Sequence, residues 1–115
     1  MNTNLKRGDL VNAEGGVMGV VLDRRVDAKG RTLNYVIVTR ASKGETITRG
    51  WRIPLTTGQL HALKFYADRE IHSFDGTVAR NINALVTLGL LRYVSGSQAE
   101  VTGFGIVTIA AKWGI

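Results

Sequence analysis

Two groups of side chains in this chain have the types and spacing to meet a polyanion. Thr77, Arg80, Asn81, Asn83, Ala84 and Thr87 share the solvent face of a helix expected over Thr77–Leu88. Arginine and asparagine can pair bidentately with guanine and adenine edges in a major groove, and short Thr and Ala side chains permit close approach. Arg24, Arg25, Lys29 and Arg31 crowd one expected hairpin, where they could neutralise phosphates and release counterions. Arg92 stands at the base of a second hairpin, and Lys6-Arg7 precede the first strand as a short basic arm or a frayed terminus.

Each group has a plainer reading. Any surface helix carries Arg, Asn and Thr. Asp23 and Asp27 interleave with the Arg24–Arg31 cations, so pairing within the hairpin can absorb much of their field. The tip of the second hairpin, Ser95-Gly96-Ser97-Gln98, carries no cation.

Catalytic chemistry is poorly represented. His61 and His72 are the only histidines, one on a helix face and one in a loop, and neither has a carboxylate at a spacing that reads as a metal site. No nucleophile, base and orienting acid can be assembled. Gly15-Gly16-Val17-Met18-Gly19 lacks the Lys-Ser/Thr of a phosphate loop, and no helix follows it. The absence of cysteine excludes disulfides and thiolate metal centres. The expectation is a non-enzyme with no catalytic residue, metal or cofactor. Tyr35, Phe65, Tyr66, Tyr93 and Phe104 sit at core-compatible spacings, although exposed aromatics could stack on bases. Trp113, close to the end of the sequence, either docks on the body or serves a partner interface.

The elements that must position these residues divide at Pro54. Residues 1–55 carry ten Lys or Arg against five acids, and residues 56–115 carry five against four, so nearly all of the net charge of +6 lies in the first half. Such segregation suits one basic surface facing a nucleic acid or an acidic protein. Uncharged runs are too short for a membrane span, Met1–Gly8 does not read as a signal peptide, and the expected location is the cytoplasm.

The first half reads as strands: Leu10-Val11, Val17–Leu22, Thr32–Thr39, Glu45–Thr48 and Trp51–Leu55, with turns at Gly15-Gly16, Asp27-Ala28-Lys29-Gly30 and Ser42-Lys43-Gly44. Curling into a small barrel would remove its bare edges. The second half changes period. Thr56 and Gln59 form a capping box, Leu60, Leu63 and Ala67 share a helical face ending near Asp68, and Thr77–Leu88 follows with Ser73 or Asp75 as cap and Gly89 as terminator. Leu91–Val94 and Ala99–Thr102 form a hairpin, and Ile106–Trp113 fits helix or strand equally. The expected core holds Leu10, Val20, Leu22, Tyr35, Ile37, Trp51, Leu60, Leu63, Ile82, Leu85 and Leu90.

Gly8-Asp9-Leu10-Val11, Gly15-Gly16, Gly19-Val20-Val21 and Trp51…Leu55 resemble an SH3-like barrel of the KOW type over residues 5–55, within an expected first domain of residues 1–54. Leu55-Thr56…Gln59…Ala62-Leu63, Thr77–Leu85, Leu88-Gly89-Leu90-Leu91, Tyr93 and Val101-Thr102-Gly103-Phe104-Gly105 resemble a winged helix over residues 55–110, within an expected second domain of residues 55–115. A full winged helix has three helices. Only Arg69–Phe74 separates the two visible here, so the supporting helix is short or absent. The resemblances imply an α+β chain: a small SH3-like β-barrel followed by a degenerate winged-helix-like half of two helices and a hairpin wing. They also imply a basic, nucleic-acid-binding regulatory protein of bacterial or phage type, with duplex DNA ahead of RNA as ligand. The competing expectation is a modulator that docks on an acidic partner surface. A homodimer through Ile106–Ile115 is an expectation from position alone.

Overall fold

A computed structural model describes residues 4–41 and 44–115 as an α+β protein with two antiparallel sheets and three α-helices. Contacts divide the chain into two compact units. Unit 1 runs to Pro54 and also takes in residues 110–114; unit 2 comprises residues 55–109 with Ile115. The boundary at Pro54 is where the hydrophobic period of the sequence changes from strand to helix.

Unit 1 is a five-stranded sheet in the order β4-β3-β2-β1-β5, built from β1 (Leu10–Ala13), β2 (Met18–Val26), β3 (Thr32–Thr39), β4 (Glu45–Ile47) and β5 (Gly50–Arg52). Gly15 (φ 88°) and Gly16 (φ 79°) supply the left-handed conformations that turn β1 into β2. Asp27–Gly30 turns β2 into β3: Asp27 N–H donates to the Arg31 carbonyl at 2.9 Å, and Gly30 N–H to the Asp27 carbonyl at 3.0 Å. Leu5, Val11, Val21, Tyr35 and Ile37 form a buried cluster here. Three residues long apiece, β4 and β5 each pair on one side only, so among the described residues the sheet stays open and no barrel closes.

Two core expectations fail in this unit. Trp51 pairs with Asn12 in register, shares its exposed face, and is 48% exposed. Leu22 is half-buried. Ser42 and Lys43, placed in a turn from sequence, lie outside the described residues.

Unit 2 opens with α1 (Thr57–Phe65), whose capping box is complete: Gln59 N–H donates to Thr56 Oγ1 at 3.1 Å and Thr56 N–H to Gln59 Oε1 at 3.0 Å. A single 3-10 turn, Tyr66–Asp68, follows and ends at Arg69 in the left-handed region (φ 68°). His72–Ser73 forms a short strand, β6, rather than the expected loop; it adds to β8 (Gln98–Val101), which pairs with β7 (Leu91–Ser95) to give the order β6-β8-β7.

Between β6 and β7 lies α2, which covers Ala79–Thr87, beginning two residues later than its periodicity suggested. The Asp75 carboxylate accepts the N–H and hydroxyl of Thr77, and Val78 N–H donates to the Asp75 carbonyl, so residues 75–78 are spent on a turn. Neither Ser73 nor Asp75 caps the helix: Val78 is the N-cap and supplies no side-chain bond. At the other end Gly89 (φ 79°) donates to the Val86 carbonyl and Leu90 to the Leu85 carbonyl, the paired bonds of a Schellman cap.

Leu63, Tyr66, Ile82, Leu85, Leu90, Leu91 and Ala99 are buried in unit 2, whereas Leu60 is half-buried. The ambiguous tail is a helix, α3 (Gly103–Trp113). Its first turn approaches the α2–β7 connection closely: a Cβ on Gly105 would stand 2.1 Å from the Leu90 carbonyl oxygen.

Candidate nucleic-acid interface

The exposed strip of α2 consists of Arg80, Asn83 and Thr87, spaced i, i+3, i+7 along one face. Thr87 Oγ1 donates to the Asn83 carbonyl at 2.9 Å, and the Tyr93 hydroxyl on β7 donates to Asn83 Oδ1 at 3.2 Å. Among the described residues Arg80 makes no ion pair. The strip can therefore offer one unpaired guanidinium, one positioned amide and one hydroxyl to a groove.

Three residues expected beside them are committed elsewhere. Asn81 is half-buried against α1, where a Cβ on Gly58 would lie 2.8 Å from its Nδ2. Thr77 precedes the helix and is held by Asp75, whose carboxyl drops below its ordinary range because the Thr77 hydroxyl and N–H both stabilise the anion. Arg92 is exposed but pairs across the hairpin: its Nε lies 2.6 Å from Glu100 Oε1, and Nη2 reaches the same oxygen. Facing strand positions 92 and 100 set this pair up directly.

In unit 1, Arg24 and Arg25 lie on the exposed end of β2, opposite Tyr35 and Asn34. Lys29 and Arg31 sit at the turn. There Asp27 Oδ1 accepts the backbone N–H of Lys29 (2.8 Å) and of Arg31 (2.9 Å), while Oδ2 accepts Arg31 Nε at 2.8 Å. The Arg31 N–H, followed by its guanidinium and the Lys29 N–H, holds the Asp27 carboxyl below its ordinary value. Of the four hairpin cations, Arg31 is thus paired with a carboxylate, Lys29 meets that carboxylate through its backbone N–H, and Arg24 and Arg25 are exposed on the strand. Lys6-Arg7 is pinned rather than frayed: Arg7 Nη1 donates to the Leu22 carbonyl at 2.9 Å, and Lys6 N–H to Asp9 Oδ2 at 2.8 Å.

Sequence reasoning missed an apolar cleft in unit 2 of about 490 Å3, lined by His61, Phe65, Tyr66, Phe74, Val78 and Ile82 among others. Phe65, expected in the core, is 59% exposed on its rim, its ring 4.5 Å from that of His72. The signal was faint because Phe65 falls off the Leu60–Leu63–Ala67 face. Asp68, Glu70 and His72 also come together, with ligand atoms within 4.8 Å of one another. Asp68 bonds the Glu70 N–H at 2.9 Å and His72 Nε2 at 2.7 Å. These bonds brace the left-handed turn at Arg69.

Tyr35, Tyr66 and Phe104 are buried, Tyr93 is exposed, and Trp113 is half-buried on α3. None of the described helices is long and apolar enough to cross a membrane. No family model, curated protein or solved structure matches this chain.

Proposed function

We propose that the protein is a small non-enzymatic regulator that binds duplex DNA, with α2 entering the major groove and β7–β8 serving as the wing. In this reading unit 2 is a winged helix whose supporting helix has shrunk to the turn at residues 75–78. The element order α1, β6, α2, β7, β8 and the sheet order β6-β8-β7 support it. Unit 1 reads as an SH3-like sheet left open: β5 returns beside β1, as such a fold requires. The observation that carries the functional reading is the Arg80–Asn83–Thr87 strip, which places base-reading chemistry on one exposed helical face. The neutral wing and the single cation on the strip make phosphate contacts elsewhere necessary.

The test is fluorescence anisotropy with labelled duplex DNA, single-stranded DNA and RNA at low and physiological salt. Submicromolar duplex binding that weakens steeply with salt is expected. Absence of duplex binding at physiological salt overturns the reading.

A second reading is favoured by the apolar cleft of unit 2. With Phe65 59% exposed on its rim, it fits a protein partner. A pull-down that captures one partner with the wild type and loses it with Phe65→Asp would support that reading.

A further inference from the structure

We propose that unit 1 carries a separate contact for the phosphodiester backbone of a duplex, in a groove lined by Lys6, Arg7, Arg24 and Arg25. The proposal takes nucleic acid as the ligand class from the reading above, but it rests on unit 1 alone. The groove holds about 750 Å3 and has an aliphatic floor that includes Leu5, Val21 and Val36. A turn at Lys6–Asp9, closed by the Asp9 N–H donating to the Lys6 carbonyl at 2.9 Å, and the strand β2 bring its cations together. Gly8 N–H donates to the Val21 carbonyl at 2.8 Å, and Val21 N–H to the Asp9 carbonyl at 2.9 Å, so Lys6-Arg7 runs beside the outer end of β2. The bond from Arg7 Nη1 to Leu22 leaves the other guanidinium donors available.

The charge of the lining favours an anion. Four cations face one acid, Asp23, whose Oδ1 already accepts the Arg24 N–H at 2.8 Å. All four cations are exposed, so they can meet phosphate oxygens at the surface and release counterions there. Among the described residues no aromatic ring lines the groove, so they offer bases no stacking platform, and a single strand gains less from them than a duplex backbone. Lys29 and Arg31 fall outside the lining.

The test measures the full chain by anisotropy on a random-sequence duplex across a salt series. Arg24→Glu/Arg25→Glu is expected to weaken binding at least about tenfold at physiological salt and to flatten the log–log salt slope by about 2, close to one phosphate per cation. Lys6→Glu/Arg7→Glu should reproduce both effects, which keeps the test intact if one variant misfolds by circular dichroism. Arg40→Glu/Arg69→Glu makes the same change in net charge at residues that do not line the groove and should leave the slope unchanged. Equal losses from the groove and control variants, an unchanged slope in both groove variants, or tighter binding of single-stranded DNA than of duplex would each overturn the proposal. Failure of the α2 reading looks different: Arg80→Ala/Asn83→Ala then selects the same motif as the wild type from a randomised duplex pool, while the groove variants still lose affinity.

Discussion

The phenol of Tyr93 donates to Oδ1 of Asn83 at 3.2 Å, tying the strand that begins the hairpin to the amide on the exposed face of α2. Bidentate pairing with adenine needs that oxygen as acceptor and the amide nitrogen as donor. Oδ1 has a second lone pair, so the phenol can orient the amide without consuming it.

Asn83→Ala is expected to erase the preference at one base position while leaving non-specific affinity nearly intact, a loss of discrimination of about 1–3 kcal/mol. Tyr93→Phe should weaken the same position more mildly. Sequencing a randomised duplex pool after selection by wild type and variants checks this. A motif unchanged by Asn83→Ala would remove Asn83 from readout.

Gly105 tests the packing of α3 within unit 2. Gly105→Ala places a methyl against the Leu90 carbonyl, which lies in the α2–β7 connection. Overpacking at such a site costs about 1–3 kcal/mol. Gly103, two residues earlier, has nothing within 4 Å of a built Cβ, so Gly103→Ala should be neutral or slightly stabilising. Thermal or urea unfolding of both variants gives the comparison; equal stabilities would mean that the α3 first turn shifts freely.

How much was legible in the sequence depended on how local each feature is. The cap of α1 was readable because Thr56 and Gln59 satisfy one another within three residues. The inward face of α2 followed from Ile82 and Leu85, and its end from Gly89, but its start was misplaced because Asp75 competes for the Thr77 backbone. Trp51 was assigned to the core by size, whereas its side is set by pairing with Asn12, a register no local pattern encodes. The tail was undecidable because residues 104–111 are apolar or uncharged on every side, which suits a buried helix as well as a buried strand. Of the candidate site, the Arg80–Asn83–Thr87 strip was visible by periodicity. The pinning of Arg7 by Leu22 and the pairing of Arg92 with Glu100 depend on which strands meet.

Thr56 offers a check on how far α1 depends on its cap. Thr56→Ala removes the acceptor for Gln59 N–H, and this nine-residue helix has no acidic residue in its first turn to compensate. The expected loss is about 1 kcal/mol, with Thr56→Ser close to wild type because it keeps the acceptor. Chemical unfolding of the two variants measures it. An Ala variant as stable as Ser would show that the α1 N-terminus draws its stability from packing instead.

Lys112 gives the pH dependence of unit 1 a definite sign. Its stem meets Gly8, where a Cβ would stand 2.8 Å from the Lys112 Cα and Cγ. Burial lowers its pKa from the ordinary 10.5; nearby Asp9 opposes the shift and Arg52 adds to it. Because the folded pKa is depressed, the unfolded chain binds more protons between that value and 10.5, and stability rises with pH across this window. Tyr66 acts in the other direction: burial raises its pKa above the ordinary 10.0, so stability is lost as pH climbs past 10. Melting temperature measured from pH 7 to 10 should therefore carry an upward contribution from Lys112 before Tyr66 intervenes. Lys112→Met, which keeps the stem and removes the charge, should be at least as stable at pH 7 and should flatten that rise. An unchanged slope in Lys112→Met would mean that the ammonium reaches water without penalty.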